Sequence, residues 1–477
     1  MSKLTLSPSK WPGSSAQTTA SAPQDKIDGF LRPSTPLGED ERFDAVVLGA
    51  GIAGLVSANL LSTSGWSRVL VLDEYGRVGG NHIDCSFPPY TFDIGTIIFQ
   101  DDSPLLAHFP ELLAQYHPVK YTIGRVTPQH RVHPYPFSFR REVLYAGPLE
   151  WGLVLCSLLF WRLRTRNISS VQDYARFWIG DHLLRRSGLE NYIERFSGVR
   201  AADLDRSFAD KRMYWIADAA SVRKRLARLL GKRESWDGNR SFVRPRAGFA
   251  PLYAVARSRL EAAGVRFALG ESIRSIEKVG DEFLVKTEAG EVRAGRLVST
   301  IPLAHTLRLC GLPEAGPLPT IELISLFFSF KGERGFAQNI LYNFSSTGRW
   351  KRLTMFSDFY GDAQGRAFFG VEVNARDTDR DEGVNALEAA REDFLADVKA
   401  KALFSGDLRF EGSYRLENAY PSYPAGAAEA AARGIAALRG IGVEALGRQG
   451  GFDYLPTSRH VTLAVETGLA ASGPGRS

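Results

Sequence analysis

Phe43-Asp44-Ala45-Val46-Val47-Leu48-Gly49-Ala50-Gly51-Ile52-Ala53-Gly54 decides how this 477-residue chain folds. The apolar run Ala45–Leu48 reads as a short buried strand, and it enters a turn of alternating glycines without a break. Leu55 to Leu61 then reads as a helix, and Arg68-Val69-Leu70-Val71-Leu72 as a second strand ending in Asp73-Glu74. Strand, glycine turn, helix, strand and acid in that order are what a dinucleotide site requires. Gly49 permits the tight turn, Gly51 lets the backbone approach a pyrophosphate, and Gly54 lets the helix pack close to the strand. Ile52 and Ala53 open the helix, whose free N–H groups and positive dipole end favour phosphate. Asp73 stands where an acid accepts hydrogen bonds from ribose hydroxyls, with Glu74 beside it.

The residues after the acid, Gly76-Arg77-Val78-Gly79-Gly80-Asn81, resemble the second glycine pair of a large FAD family. That family contains amine oxidases, protoporphyrinogen oxidase, carotenoid desaturases and UDP-galactopyranose mutase. The resemblance implies FAD, its diphosphate wrapped by Arg77, Gly79, Gly80 and Asn81. Tyr90-Thr91-Phe92-Asp93-Ile94-Gly95 looks like the strand that leads under the isoalloxazine ring. Residues 246–302 are similar to the second FAD-domain segment, where the backbone near Ile273 would meet the adenine. Gly447-Arg448-Gln449-Gly450-Gly451-Phe452-Asp453-Tyr454 resembles the block that closes over the flavin. Pro456-Thr457-Ser458 then opens a last helix, with Thr457 or Ser458 as N-cap, whose dipole would stabilise anionic reduced flavin. The implied fold class is α/β: a Rossmann-like FAD-binding domain of the GR2 flavoprotein type with a helical plus antiparallel-sheet substrate domain. Residues 1–41 read as a disordered N-terminal tail. Residues 42–115 with 241–310 and 441–477 form the FAD-binding domain, and 116–240 with 311–440 the substrate-binding domain.

Composition agrees with an enzyme of this size. With 44% hydrophobic and 23% charged residues the chain is neither disordered nor fibrous. Three cysteines build no disulfide framework and lie near no histidine cluster, so no metal site is expected and a cytosolic-type compartment is favoured. The net charge of +6 suits an anionic ligand or a membrane surface, but it is too dispersed for nucleic acid. Trp151 to Trp161 is apolar, too short to span a bilayer, and followed by Arg162, Arg164 and Arg166. A buried helix is the plain reading; an interfacial helix with basic anchors, in peripheral membrane contact, is the other. Arg223, Lys224, Arg225, Arg228, Lys232 and Arg233 form a basic helical face, ordinarily a solvated surface.

The substrate is expected to be a small molecule. Arg352, Tyr420, Arg448 and Tyr454 resemble positions with which UDP-galactopyranose mutases grip the diphosphate of a nucleotide-sugar. Two departures weaken that likeness. Gly95-Thr96-Ile97-Ile98-Phe99-Gln100 lacks the histidine of the mutases, and Ile324 replaces an arginine. Ser197 stands where the family usually has tryptophan. His82, after the glycine pair, is the best candidate base, ahead of His130 and His133; Arg352 and Tyr420 are the other catalytic candidates. Two reactions fit: hydride transfer from an organic substrate to flavin N5, or a mutase-like isomerisation on reduced FAD. A flavoprotein scaffold without turnover is the third reading.

Overall fold

The computed structural model describes residues 37–38, 41–135, 147–213, 216, 240–375 and 386–471. The expected tail (apart from residues 37, 38 and 41), the basic run Arg223–Arg233 and Pro136-Phe137 lie outside the described residues.

The first strand, Glu41–Leu48, is central in a seven-stranded sheet. It pairs in parallel with Val69–Asp73 on one side and Glu291–Ser299 on the other, and Arg266–Leu269 extends the parallel part beyond Val69–Asp73. Strands buried on both faces carry near-continuous apolar runs, which is why Ala45–Leu48 and Val69–Leu72 show no polar alternation. Successive side chains go to opposite faces. Val46, Leu48, Leu70 and Leu72 enter one core, while Ala45, Val47, Val69 and Val71 enter another beneath the helix Ile52–Thr63. Glu291–Ser299 divides its other edge. Its first half pairs antiparallel with Glu282–Thr287, and its last residues pair in parallel with Val443–Ala445. That late strand brings residues 447–458 to the carboxyl ends of the parallel strands, where ligands bind in open α/β sheets.

A second seven-stranded sheet has Thr320–Arg334 between Phe404–Pro421 and Ala367–Asn374, followed by Trp350–Thr354, Ile340–Asn343, Ile123–Val126 and Val132–Pro134. It is antiparallel except where Ile340–Asn343 meets Ile123–Val126. Ile324, Leu326, Phe328 and Phe330 face the helix Ala386–Ala400, through Ala390, Phe394 and Val398. On the opposite face Leu323 and Phe327 meet the hairpin of Asp84–Phe87 and Tyr90–Asp93, where Phe92 stacks on Phe327 at 4.6 Å. That hairpin, read from the sequence as part of the first domain, thus shares its core with the second sheet.

Helices between residues 148 and 213 complete the structure. Leu189–Ser197 is fixed by Arg195, which donates to the carbonyls of Gly348 at 2.7 Å and Ser345 at 2.6 Å. Pro148–Arg164 corrects the plain expectation of a buried helix: Val154 is its only buried residue. It packs one side on Val171–Ile179 and Asp181–Arg186 and leaves the other outside. No helix among the described residues is long and apolar enough to cross a membrane.

Candidate active site

The glycine turn forms a cradle of bare backbone. Gly49 takes φ +100°, and a Cβ on Gly54 would lie 1.7 Å from the Gly49 carbonyl oxygen, so only glycine lets this helix sit against its strand. Gly79 and Gly80, at φ +116° and +57°, close over the turn from above. A Cβ on Gly80 would stand 2.9 Å from the Gly51 Cα, and one on Gly79 would strike the Tyr253 ring. Gly51 is also the N-cap of a helix with no side-chain cap and no acid in its first turn, leaving its N-terminus to an anion. Two glycine pairs back to back fit a dinucleotide diphosphate, which needs close backbone approach rather than side chains.

Asp73 lies beneath the cradle. Its carboxylate accepts from the Ala50 N–H at 2.5 Å and the Tyr75 N–H at 2.8 Å, and it is only 7% exposed. Burial lifts its pKa to about 6 against those hydrogen bonds. The bonds formed here fix the turn; any ribose contact falls to its remaining lone pairs, and Glu74 stands exposed alongside. Ile273 begins a strand close by, since Glu271 donates to the Asp73 carbonyl at 3.0 Å. Arg77 is half-buried between Glu74 and the second glycine pair.

Beyond the cradle opens a cavity of about 470 Å³, bounded by the second sheet, the segment Ile94–Gln100, the helix Leu189–Ser197 and the closing segment 454–458. Asn81, His82, Arg352, Tyr420, Arg448, Tyr454, Thr457 and Ser458 all line it, so residues singled out in separated parts of the sequence converge on one space. Asn81 donates to the carbonyls of Asn418 and Ala419, each at 3.3 Å. Arg448 is held by two bonds to the Leu455 carbonyl, at 2.9 and 2.6 Å. Thr457 is the N-cap: its hydroxyl accepts from the His460 N–H, and the helix Ser458–Ala471 starts behind it with its N-terminus at the cavity.

His82 bonds to the Tyr253 hydroxyl, which in turn meets Tyr116. Burial, with Arg448 adding repulsion, pushes its pKa down to about 3. At neutral pH this imidazole is uncharged, able to relay a hydrogen bond but a poor proton acceptor. The other two histidines stand apart: His130 sits in an exposed turn at φ +58°, and His133 in the adjoining edge strand; neither lines the cavity.

The second sheet supplies two of the cavity's charges. Arg352 bonds to Glu372 on the neighbouring strand, which it faces in register, and Lys351 bonds the same carboxylate at 3.1 Å. In a regular strand Lys351 and Arg352 would point to opposite faces. A register shift between Trp350 and Arg352 brings both to the cavity. Lys351 also donates to the Tyr420 hydroxyl at 3.1 Å and lies 4.9 Å from the ring centres of Phe196 and Tyr420. Arg212 covers the Phe196 ring at 3.5 Å and donates to the Tyr192 hydroxyl at 3.0 Å, while Lys211 reaches Asp453 at 2.5 Å. Lys211, Arg212, Lys351, Arg352 and Arg448 therefore line a cavity to which the described residues contribute no carboxylate. Among the described residues, Glu372 and Asp453 stand against those five charges. Lys211, Arg212 and Lys351 were not singled out in the sequence, and alternation alone would have turned Lys351 away.

The two departures from the mutase pattern take on a different meaning. Ile324 is fully buried under the opposite face of the sheet, and Leu323 is the residue that reaches the cavity. Gly95 passes against the Arg352 guanidinium, where a Cβ would lie 3.6 Å from Nη2. Ser197 turns back onto its own helix, donating to the Ile193 carbonyl at 2.8 Å, and Phe196 supplies the ring, stacked on Tyr420 at 5.7 Å.

Residues 47–112 match the NAD(P)-binding Rossmann-like domain. Prolycopene isomerase 2, chloroplastic, from an Oncidium hybrid cultivar is 43% identical over 72 residues, which is 15% of this chain and 12% of that protein's length. Among solved structures, reduced UDP-galactopyranose mutase superposes with a TM-score of 0.71 at 17% identity, covering 91% of this chain and 98% of that one. An Exiguobacterium protein provisionally named protoporphyrinogen oxidase follows at 0.66 and 15%, covering 91% and 99%. The chain has their fold. The likeness stated from its glycine motifs thus holds for the architecture of nearly the whole chain, and a dinucleotide-binding domain of the Rossmann type is present.

Proposed function

We propose that this chain is an FAD-dependent oxidoreductase that removes hydride from an organic substrate bearing an anionic group. The observation that carries the reading is the junction of two features: a double-glycine cradle at the sheet ends, and a cationic, aromatic cavity opening from it. When bound, FAD supplies a hydride acceptor in its oxidised form and a nucleophile in its reduced form. Gly49, Gly51, Gly54, Gly79 and Gly80 would hold its diphosphate, with Arg77 and the N-terminus of Ile52–Thr63 offsetting the charge. The Thr457-Ser458 helix end directs positive potential at the cavity. Lys351, Arg352 and Arg212 would anchor the substrate anion, and Phe196, Tyr192 and Tyr420 exclude water around the reacting carbon. His82, neutral and bonded to Tyr253, fixes orientation rather than carrying a proton.

The second reading is a mutase-like isomerase acting on a nucleotide-sugar. The cation set favours it, because Lys351, Arg352 and Arg448 offer the diphosphate grip that the sequence alone left short at Ile324. Anaerobic titration of the FAD-loaded protein with UDP-sugars, in oxidised and reduced form, separates the two. Flavin bleaching by an anionic substrate, restored by an acceptor, supports the oxidoreductase. Sugar interconversion by the reduced protein without net electron consumption overturns it in favour of the isomerase. A chain that takes up no flavin refutes both.

A further inference from the structure

We propose that the helix Pro148–Arg164 docks this enzyme onto the surface of an anionic lipid bilayer. Of the large apolar side chains standing exposed among the described residues, Leu149, Trp151, Leu153, Leu155, Leu159, Phe160 and Leu163 all belong to this one helix. Such a contiguous apolar patch marks an interaction surface. The helix is apolar on both sides, for two different reasons. Its inner side is fastened to the protein: Gly180 passes so close to Leu158 that a Cβ would lie 2.8 Å from the Leu158 nitrogen. The Ser157 hydroxyl accepts from the His182 N–H at 3.0 Å, Arg176 covers the Trp161 ring at 4.5 Å, and Glu150 bonds His182 at 2.9 Å. Its outer side has no comparable partner in the described protein and presents Leu155, Leu159 and Leu163 at helical spacing.

Charge identifies the occupant. Residues 148–186 contain six arginines against three carboxylates. Glu150 is engaged by His182 and Arg186, Asp181 by Arg176 and Arg185, and Asp173 by the capping box of its own helix, so the carboxylates are already engaged. Arg164 and Arg166 stand exposed at the helix end. An apolar face flanked by unneutralised arginines, on a helix of 17 residues with no spanning partner, matches burial in the headgroup region rather than a crossing of it. A protein partner or a second copy would need carboxylates to meet Arg164 and Arg166, whereas an anionic headgroup layer supplies that charge along the whole face. The position suits the site as well, since Asp181–Arg186 beneath it adjoins Leu189–Ser197, one wall of the cavity.

The test is co-sedimentation of the full-length, FAD-loaded protein with phosphatidylcholine vesicles and with phosphatidylcholine–phosphatidylglycerol vesicles. Binding to the anionic vesicles, weakened by salt, is expected. The L155E/L159E/L163E variant should bind at least about tenfold more weakly, and R164E/R166E should lose about fivefold per arginine. All these positions are on the outside of the fold, so flavin content and circular dichroism should be unchanged. Absence of binding to either vesicle overturns the proposal. So does a wild-type dimer in solution that L155E/L159E/L163E converts to a monomer, because the helix then covers a second copy.

Discussion

Replacing Glu372 with glutamine should separate what holds the cavity together from what the cavity binds. The carboxylate is 5% exposed and lies between Lys351, 2% exposed, and Arg352, 18% exposed. Burial alone would raise its pKa, but Arg352 and Lys351 outweigh burial and hold it below the usual glutamate range. Removing one partner of a buried ion pair costs about 3–5 kcal/mol, because the remaining charge is left uncompensated. Glutamine keeps one acceptor oxygen, so the lower end, about 3 kcal/mol, is expected. Urea denaturation of the FAD-loaded protein, followed by tryptophan fluorescence, reads this as a lower midpoint. Binding should move the other way. The variant adds one net positive charge to the wall, and at about 6 Å with an effective dielectric near 20 that is worth about 3 kcal/mol to a unit anion before screening. Calorimetric titration with inorganic diphosphate should therefore show affinity rising, by about tenfold once salt has screened the interaction. The lowered pKa also sets a sign: the pair's contribution is fully present above the ordinary glutamate range and is lost as pH falls below that range through the depressed value, a loss that Glu372→Gln should abolish. If the variant is as stable as the parent, or loses diphosphate affinity together with stability, the cluster is not an anion site balanced by Glu372.

Three further outcomes follow from the geometry. Gly80→Ala places a Cβ 2.9 Å from the Gly51 Cα at φ +57°, so flavin absorbance per chain should fall at least tenfold while far-ultraviolet circular dichroism is retained. His82 is neutral in the fold with its pKa near 3, so its contribution to stability is present above about pH 6.5 and is lost as pH falls toward 3. Stability of the parent should drop through that window by up to about 1.4 kcal/mol per pH unit, and His82→Gln should flatten the slope. Arg244 is 1% exposed, bonded to Asp93 at 2.5 Å and to the Thr91 carbonyl at 3.0 Å. Arg244→Met leaves the Asp93 carboxylate buried with only Tyr360 as a donor, and should cost about 3–5 kcal/mol by the same denaturation assay.

How far the sequence could be read depends on how local each constraint is. The glycine turn was legible because sterics act between near neighbours: Gly54 must approach Gly49, and no other residue allows it. Gly79-Gly80 was found by resemblance instead, since the groups it approaches, Gly51 and Tyr253, are distant in the sequence. Arg352, Tyr420, Arg448 and Tyr454 were found by resemblance, and all four line the cavity. Lys351 was hidden because its orientation depends on a register shift against a strand about twenty residues away, which periodicity cannot show. Arg212 was hidden because only the tertiary packing of Arg206–Arg212 against Leu189–Ser197 places it over Phe196. The helix Pro148–Arg164 was left with two readings, buried or interfacial. Its apolar content suits either, because composition does not tell a protein interior from another nonpolar surrounding, and only its packing shows that most of it is exposed.

The charge of the cavity wall would tell the proposed anionic substrate from an amine. Among the described residues, Lys211, Arg212, Lys351, Arg352 and Arg448 against Glu372 and Asp453 leave about three net positive charges around the cavity. Each unit of like charge at about 6 Å opposes an ammonium by about 3 kcal/mol at an effective dielectric near 20. Even after screening, a bound amine would be disfavoured by several kcal/mol relative to an anion of the same size. Glu372→Gln deepens that preference, whereas the charge-reversing pair K351E/R352E should relax it, and a diamine that binds the parent as tightly as diphosphate does would remove the electrostatic basis for an anionic substrate.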